Sequence, residues 1–154
     1  MYLLPRHARS ALLSGGVALL TVTAAASAAA ADLPVPAVGA DRVTFGVATQ
    51  VQQGTNLTIN QVTDRVTLNW QSFDIAAGHS VTFRQPASTS VALNRIFQND
   101  PSRIQGTLTA NGQVYLVNRN GIVFANGAQV QANSLIASTL DIDDDIHEKL
   151  GIVA

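Results

Sequence analysis

The chain has 154 residues, a formal net charge of −1, and 47% hydrophobic residues against only 12% charged ones. Such a balance supplies no basic field to attract nucleic acid or an anionic membrane surface. Cysteine is absent, which excludes disulfides and leaves stability to packing.

Residues 1–31 divide into three zones. Arg6, His7 and Arg9 give a positive start, Ala11 to Ala26 carries no charge, and Ala26-Ser27-Ala28 and Ala29-Ala30-Ala31 place small residues just before Asp32. This is the layout of a Sec-type signal peptide. A transmembrane anchor fits less well, because Ser14-Gly15-Gly16 and Thr21 interrupt an apolar run that must reach roughly 20 residues to span a bilayer. Without Arg6 and Arg9, seven cations face ten carboxylates, a net charge of −3 for the exported part. No transmembrane segment is expected in that part. Asp32-Leu33-Pro34-Val35-Pro36-Ala37 reads as a leader into a single domain over 32–140, and the acidic stretch 141–154 as an atypical tail.

From Val43 onward, apolar residues recur at spacing two in short bursts: Leu57/Ile59, Val66/Leu68, Phe73/Ile75, Val81/Phe83, Val91/Leu93, Val114/Leu116 and Ile122/Phe124. That alternation marks half-buried strands. The intervals hold turn formers such as Gly54-Thr55-Asn56, Ala77-Gly78-His79, Ala110-Asn111-Gly112 and Asn126-Gly127. No later stretch repeats apolar residues every three to four positions, so the fold class is all-β. Many short strands suit either a sandwich or a solenoid. Imperfect internal repeats favour the solenoid: Phe73-x-Ile75-x-x-Gly78-x-x-Val81-x-Phe83 is echoed by Ile122-x-Phe124-x-x-Gly127-x-x-Val130, and more weakly around Leu108, Gly112, Val114 and Leu116.

The stretch 57–142 resembles the two-partner secretion domain of filamentous-haemagglutinin-type exoproteins, which also fronts contact-dependent-inhibition toxins and haemolysins. The likeness rests on several motifs in order. They are Asn69-Trp70-Gln71-Ser72-Phe73-Asp74-Ile75, Gly78 to Phe83, Gln85-Pro86, Val91 to Ile96, Ser102 to Leu108, Ala110 to Val114, Asn118-Arg119-Asn120-Gly121-Ile122 and Ala137 to Leu140. The resemblance implies a right-handed parallel β-helix with short capping strands. It also implies export by Sec, recognition of the unfolded chain by the periplasmic POTRA domains of an outer-membrane β-barrel transporter, and β-helix folding at the cell surface. No cofactor or metal is implied. On this reading the protein passes through the periplasm and is secreted or surface-bound, and Asn94, Arg95, Asn118, Asn120, Gly121 and Ile122 are candidates for transporter recognition.

Two departures stand out. The family pattern has proline where this chain has Arg119, and the family's domains continue well beyond a point where this chain stops, so a truncated or frameshifted reading frame is expected. Two other functions compete: a fragment of a surface adhesin, and a polysaccharide-acting β-helix enzyme. The enzyme reading needs clustered carboxylates, yet Asp64, Asp74 and Asp100 are scattered beside turns where Asp is ordinarily structural. His79 and His147 have no partner placed by a motif. Asp141, Asp143 and Asp145 imitate the first three ligands of a calcium loop, but Ile146 and Ile152 occupy the positions that need Gly and Glu. Trp70, Phe73 and Phe83 read as core, not as a sugar platform.

Overall fold

A computed structural model describes residues 33–142, which are nearly all β and wind into a parallel solenoid of about four turns. The signal-peptide assignment for 1–31 and the tail beyond Ile142 lie outside the described residues. Among the described residues, no helix is long and apolar enough to cross a membrane.

The described residues begin with three strands that do not wind: β1 (Val35–Pro36), β2 (Val43–Phe45) and β3 (Ala48–Gln53), with a 3-10 turn over Gly39–Arg42 between the first two. Coil 1 is β4 (Asn56–Gln61) and β5 (Arg65–Ser72); coil 2 is β6 (Ser80–Arg84), β7 (Val91–Ile96) and β8 (Ser102–Ile104). Coil 3 repeats this with β9 (Thr107–Ala110), β10 (Gln113–Asn118) and β11 (Ile122–Phe124), and coil 4 contributes β12 (Gln129–Gln131) and β13 (Ser134–Ser138). Three parallel faces result. Face 1 stacks β4, β6, β9 and β12, face 2 stacks β5, β7, β10 and β13, and face 3 stacks β8 and β11.

Period-two alternation sends one side of each strand into the solenoid and stacks the inward residues in columns. Leu57, Val81, Leu108 and Val130 form one column on face 1. Ile75, Ile104 and Phe124 form another on face 3. The repeat seen in sequence is therefore one corner viewed two coils apart: Ile75 and Phe124 share a column, as do Val81 and Val130. Between them Gly78 (φ 78°) and Gly127 (φ 93°) both take the left-handed conformation that only glycine adopts without strain.

Two expectations need correction. The Val91/Leu93 burst is out of phase with the core. On β7 the inward residues are Ala92, Asn94 and Ile96, which stack on Val66, Leu68 and Trp70. Val91 and Leu93 instead join Tyr115 and Val117 in a second apolar cluster. A one-residue shift in a strand exchanges its faces, and here both faces are apolar enough to hide the exchange. Phe73 and Ile75 are fully buried, but they are not a strand: Ile75 makes a single bridge to Ile104.

The supposed leader is also structural. β1 and β2 pair antiparallel with β5, β3 pairs antiparallel with β4, and Leu33 is buried in the core cluster. A parallel coil left bare would present a row of unpaired amides and carbonyls, and these three strands cover that edge. Pro36 is tolerated because it lies on an edge strand. Among the described residues the opposite side of the stack is more open: Phe124 and Val130 are 41% and 38% exposed, whereas their column mates Ile104 and Leu108 are fully buried.

Coil 2 passes from β8 to β9 through only two residues, and Gly106 makes this possible. A Cβ there would lie 2.3 Å from the His79 carbonyl oxygen and 2.5 Å from that of Ala76. Both are backbone atoms of the coil beneath and have little freedom to yield. Gly106→Ala is expected to destabilise the domain by roughly 1–3 kcal/mol, the usual cost of overpacking. Denaturant unfolding checks this as a lower midpoint at unchanged slope.

Candidate functional site: the amide-pinned corners

A solenoid's strands satisfy one another, but its corners leave peptide groups that face neither strand nor free solvent. In this chain side-chain amides fill those gaps. Between faces 1 and 2, Gln61 donates through Nε2 to the carbonyls of Thr63 (2.7 Å) and Val91 (3.2 Å). One coil on, Gln85 Nε2 reaches Gln61 Oε1 (3.1 Å) and the carbonyls of Ser90 (3.0 Å) and Gln113 (3.1 Å), while its Oε1 accepts from Gly112 N–H (3.0 Å). Asn111 then brackets Gln85, accepting from its N–H and donating to its carbonyl, both at 2.7 Å. Three coils are joined at one corner.

The corner between faces 2 and 3 contains most of the sequence candidates. Asn118 ends β10 with no exposed surface. Its Nδ2 donates to the Asp100 carbonyl (3.2 Å) and to Ser102 Oγ (3.0 Å), and its Oδ1 accepts from Asn120 N–H (2.9 Å). Asn120 Nδ2 donates to the Gln98 carbonyl (2.8 Å), and the Gln98 side chain in turn accepts from Phe73 N–H (2.7 Å) on coil 1. Gly121 N–H closes a turn onto the Asn118 carbonyl (2.9 Å), with Gly121 at φ 102°. Arg119 and Asn120 both keep negative φ, so Asn118 to Gly121 is a type I turn with Asn at its first position and Gly at its last, both favoured there.

Asn94 is placed differently. It faces inward from the middle of β7, between Leu68 and Leu116, and is fully buried. Its Oδ1 accepts the Trp70 indole N–H (2.9 Å), and its Nδ2 donates to the carbonyls of Ala92 (3.0 Å) and Tyr115 (3.2 Å). One amide thus ties coils 1, 2 and 3, and gives the buried Trp70 indole its hydrogen-bond partner. Trp70 also meets Phe73 edge to face, with ring centroids 5.2 Å apart; Trp70, Phe73 and Phe83 all belong to the core cluster. Arg95 lies on the other side of β7, paired with Asp141 at 3.2 Å. Ile122 is half-buried at the start of β11. The structure therefore brings Asn118, Asn120, Gly121 and Ile122 together, and sets Asn94 and Arg95 on opposite sides of a neighbouring strand. Sequence reasoning gave no bonding role to Gln61, Gln85, Gln98 or Asn111.

Comparison with known proteins agrees with this architecture. The family model described as the TPS secretion domain matches residues 37–153, a match that extends into the tail set apart on sequence grounds. Two heme/hemopexin-binding proteins of Haemophilus influenzae, one of them from strain Rd, are 41% and 38% identical over 127 and 128 residues, each covering 82% of this chain. The chain spans only 14% and 13% of their lengths. The crystal structure of the HMW1 secretion domain from H. influenzae superposes with a TM-score of 0.66 at 36% identity, covering 69% of this chain and 28% of that one. The family model and the solved neighbour together define a β-solenoid secretion domain of exported exoproteins. The chain belongs to the TPS secretion domain family, whose members work with a TpsB outer-membrane transporter and are exported to be secreted or surface-exposed. It is a family of secretion domains and not of enzymes.

Two outcomes follow from this geometry. Asn94→Ala leaves the Trp70 N–H and the Tyr115 carbonyl without their side-chain partner in a buried site, and is expected to cost about 1–3 kcal/mol. The fluorescence of Trp70, the single tryptophan, should report unfolding at a lower denaturant midpoint. Arg119→Pro is expected to stabilise by about 0.4–1 kcal/mol, because Arg119 occupies the second turn position, where proline fits, and its N–H makes no hydrogen bond among the described residues. Its 4.0 Å approach to Asp141, from a side chain 82% exposed, adds little to set against that gain. Thermal midpoints of the two proteins decide the sign.

Proposed function

We propose that this chain is the recognition module of a filamentous-haemagglutinin-like exoprotein. In this account Sec delivers it to the periplasm and the transporter's POTRA domains read it before it folds, through a set that includes Asn94, Arg95, Asn118, Asn120, Gly121 and Ile122. One observation carries the timing. Asn94 and Asn118 have no exposed surface in the folded domain, and both amides are bonded to neighbouring coils. A partner can reach those side chains only while the coils are apart. In an extended chain Asn118 and Asn120 offer amide donors and acceptors at alternate positions, the pattern that an added strand uses for affinity and specificity. Folding then withdraws Asn94 and Asn118 while Asn120 stays at the surface, and loss of the two buried amides gives the passage outward a direction without ATP.

A non-enzymatic role is supported by how the carboxylates are used. Asp74 accepts from Arg103 N–H (2.8 Å), and Asp64 accepts from Ser90 Oγ (3.5 Å). Both serve structural neighbours on the next coil and do not converge on a common cleft.

The test replaces Asn118 and Asn120 together by Ala in a fusion of the chain to a reporter, with a cognate transporter present. The periplasmic amount should stay constant while the external fraction falls, and the unfolded chain should bind isolated POTRA domains more weakly. Equal secretion and equal POTRA binding by the two fusions would remove these residues from the recognised set.

A further inference from the structure

Coil 4 departs from the winding after β13. Val117 pairs with Ser138, so Thr139, Leu140, Asp141 and Ile142 occupy the places that coil 3 gives to Asn118, Arg119, Asn120 and Gly121. The corner asparagines and the positive-φ glycine are all missing from this stretch. Instead of repeating the corner, the chain turns onto the outer side of face 2. Ile142 packs there against the cluster of Val91, Leu93, Tyr115 and Val117. Arg95, whose side chain is only 16% exposed, pairs with Asp141 Oδ1 at 3.2 Å and donates to the Ile142 carbonyl.

This contact reaches from the fourth coil to the second, passing over the third. It needs β7, β10 and β13 already stacked in register, since Arg95 lies in the first of these strands and Asp141 follows the last. We propose that Arg95 and Asp141 form a clasp that couples docking of coil 4 to the register of coils 2 and 3. β13 is the outermost strand of face 2 among the described residues. An edge strand of this kind is the first to open, and a guanidinium sheltered by an apolar cluster makes a firmer anchor than an exposed ion pair. The clasp belongs to the folded state, so it does not depend on the recognition role proposed for Arg95 in the unfolded chain.

Hydrogen exchange on the 154-residue chain tests the clasp. Asp141→Ala removes the carboxylate from a side chain 49% exposed and should leave the fold intact; Arg95→Met removes both contacts while keeping an apolar stem. Amides of Ser134–Ser138 are expected to exchange about tenfold faster in Asp141→Ala and faster still in Arg95→Met, while those of Val66 to Trp70 keep their rates. Asp141→Glu should recover part of the protection. Unchanged exchange in Ser134–Ser138 for both variants would overturn the proposal. So would a uniform rise across all four coils, which would mean general destabilisation and no specific coupling.

Discussion

A parallel solenoid closes its strands easily and its corners with difficulty. Along each face the backbone groups pair with the coil above and below, but at every corner the chain changes direction and strands some of its peptide groups in a poorly hydrated place. Leaving one such group unpaired costs on the order of 1–3 kcal/mol, comparable to a large part of a small domain's margin. Here the deficit is met by carboxamides: Gln61, Gln85 and Asn111 at one corner, Gln98, Asn118 and Asn120 at another. Each reaches the coil before or after its own. The side chains that satisfy the corners thus also fix how the coils are stacked.

In the proposed function, that dual duty connects structure to secretion. Gln61, Gln85, Asn94 and Asn118 are open to a partner while the chain is unfolded and buried once it folds, whereas Asn111 and Asn120 stay at the surface. The apolar columns supply most of the burial, with Ile59, Leu68, Trp70, Ile104, Leu108 and Leu116 all without exposed surface, but apolar contact alone does not distinguish one register from the next. Asn94 does: set between Leu68 and Leu116, it finds the Trp70 N–H and the Tyr115 carbonyl only when coils 1, 2 and 3 align. The two ends of the described solenoid differ in the same terms. The first coil is covered by antiparallel strands, while coil 4 presents half-buried apolar residues and is held by a contact on its outer side.

Sequence made the class of fold legible because strand alternation is local. Leu57/Ile59, Val66/Leu68, Val81/Phe83 and Val114/Leu116 all point inward as their spacing implies. It misled at Val91/Leu93, where alanine and asparagine hold the core positions and larger apolar residues face out. The corner network was illegible for another reason. Its partners are 24 residues apart for Gln61 and Gln85, 26 for Gln85 and Asn111, and 16 for Asn118 and Ser102. Coil length varies with each loop, so no fixed spacing marks the pairs. Family resemblance singled out Asn94, Asn118 and Asn120 as candidates, but only the structure shows that the first two are interior.

The most direct test of recognition before folding is site-specific photo-crosslinking from position 118 in cells that carry the transporter, compared with the same labelled chain purified, folded and added to isolated POTRA domains. The account predicts a crosslink to the transporter while the chain is in transit and none from the folded domain. An equal crosslink from the folded domain would contradict it, because a residue at the place of Asn118 would then be read from the outside of the finished solenoid.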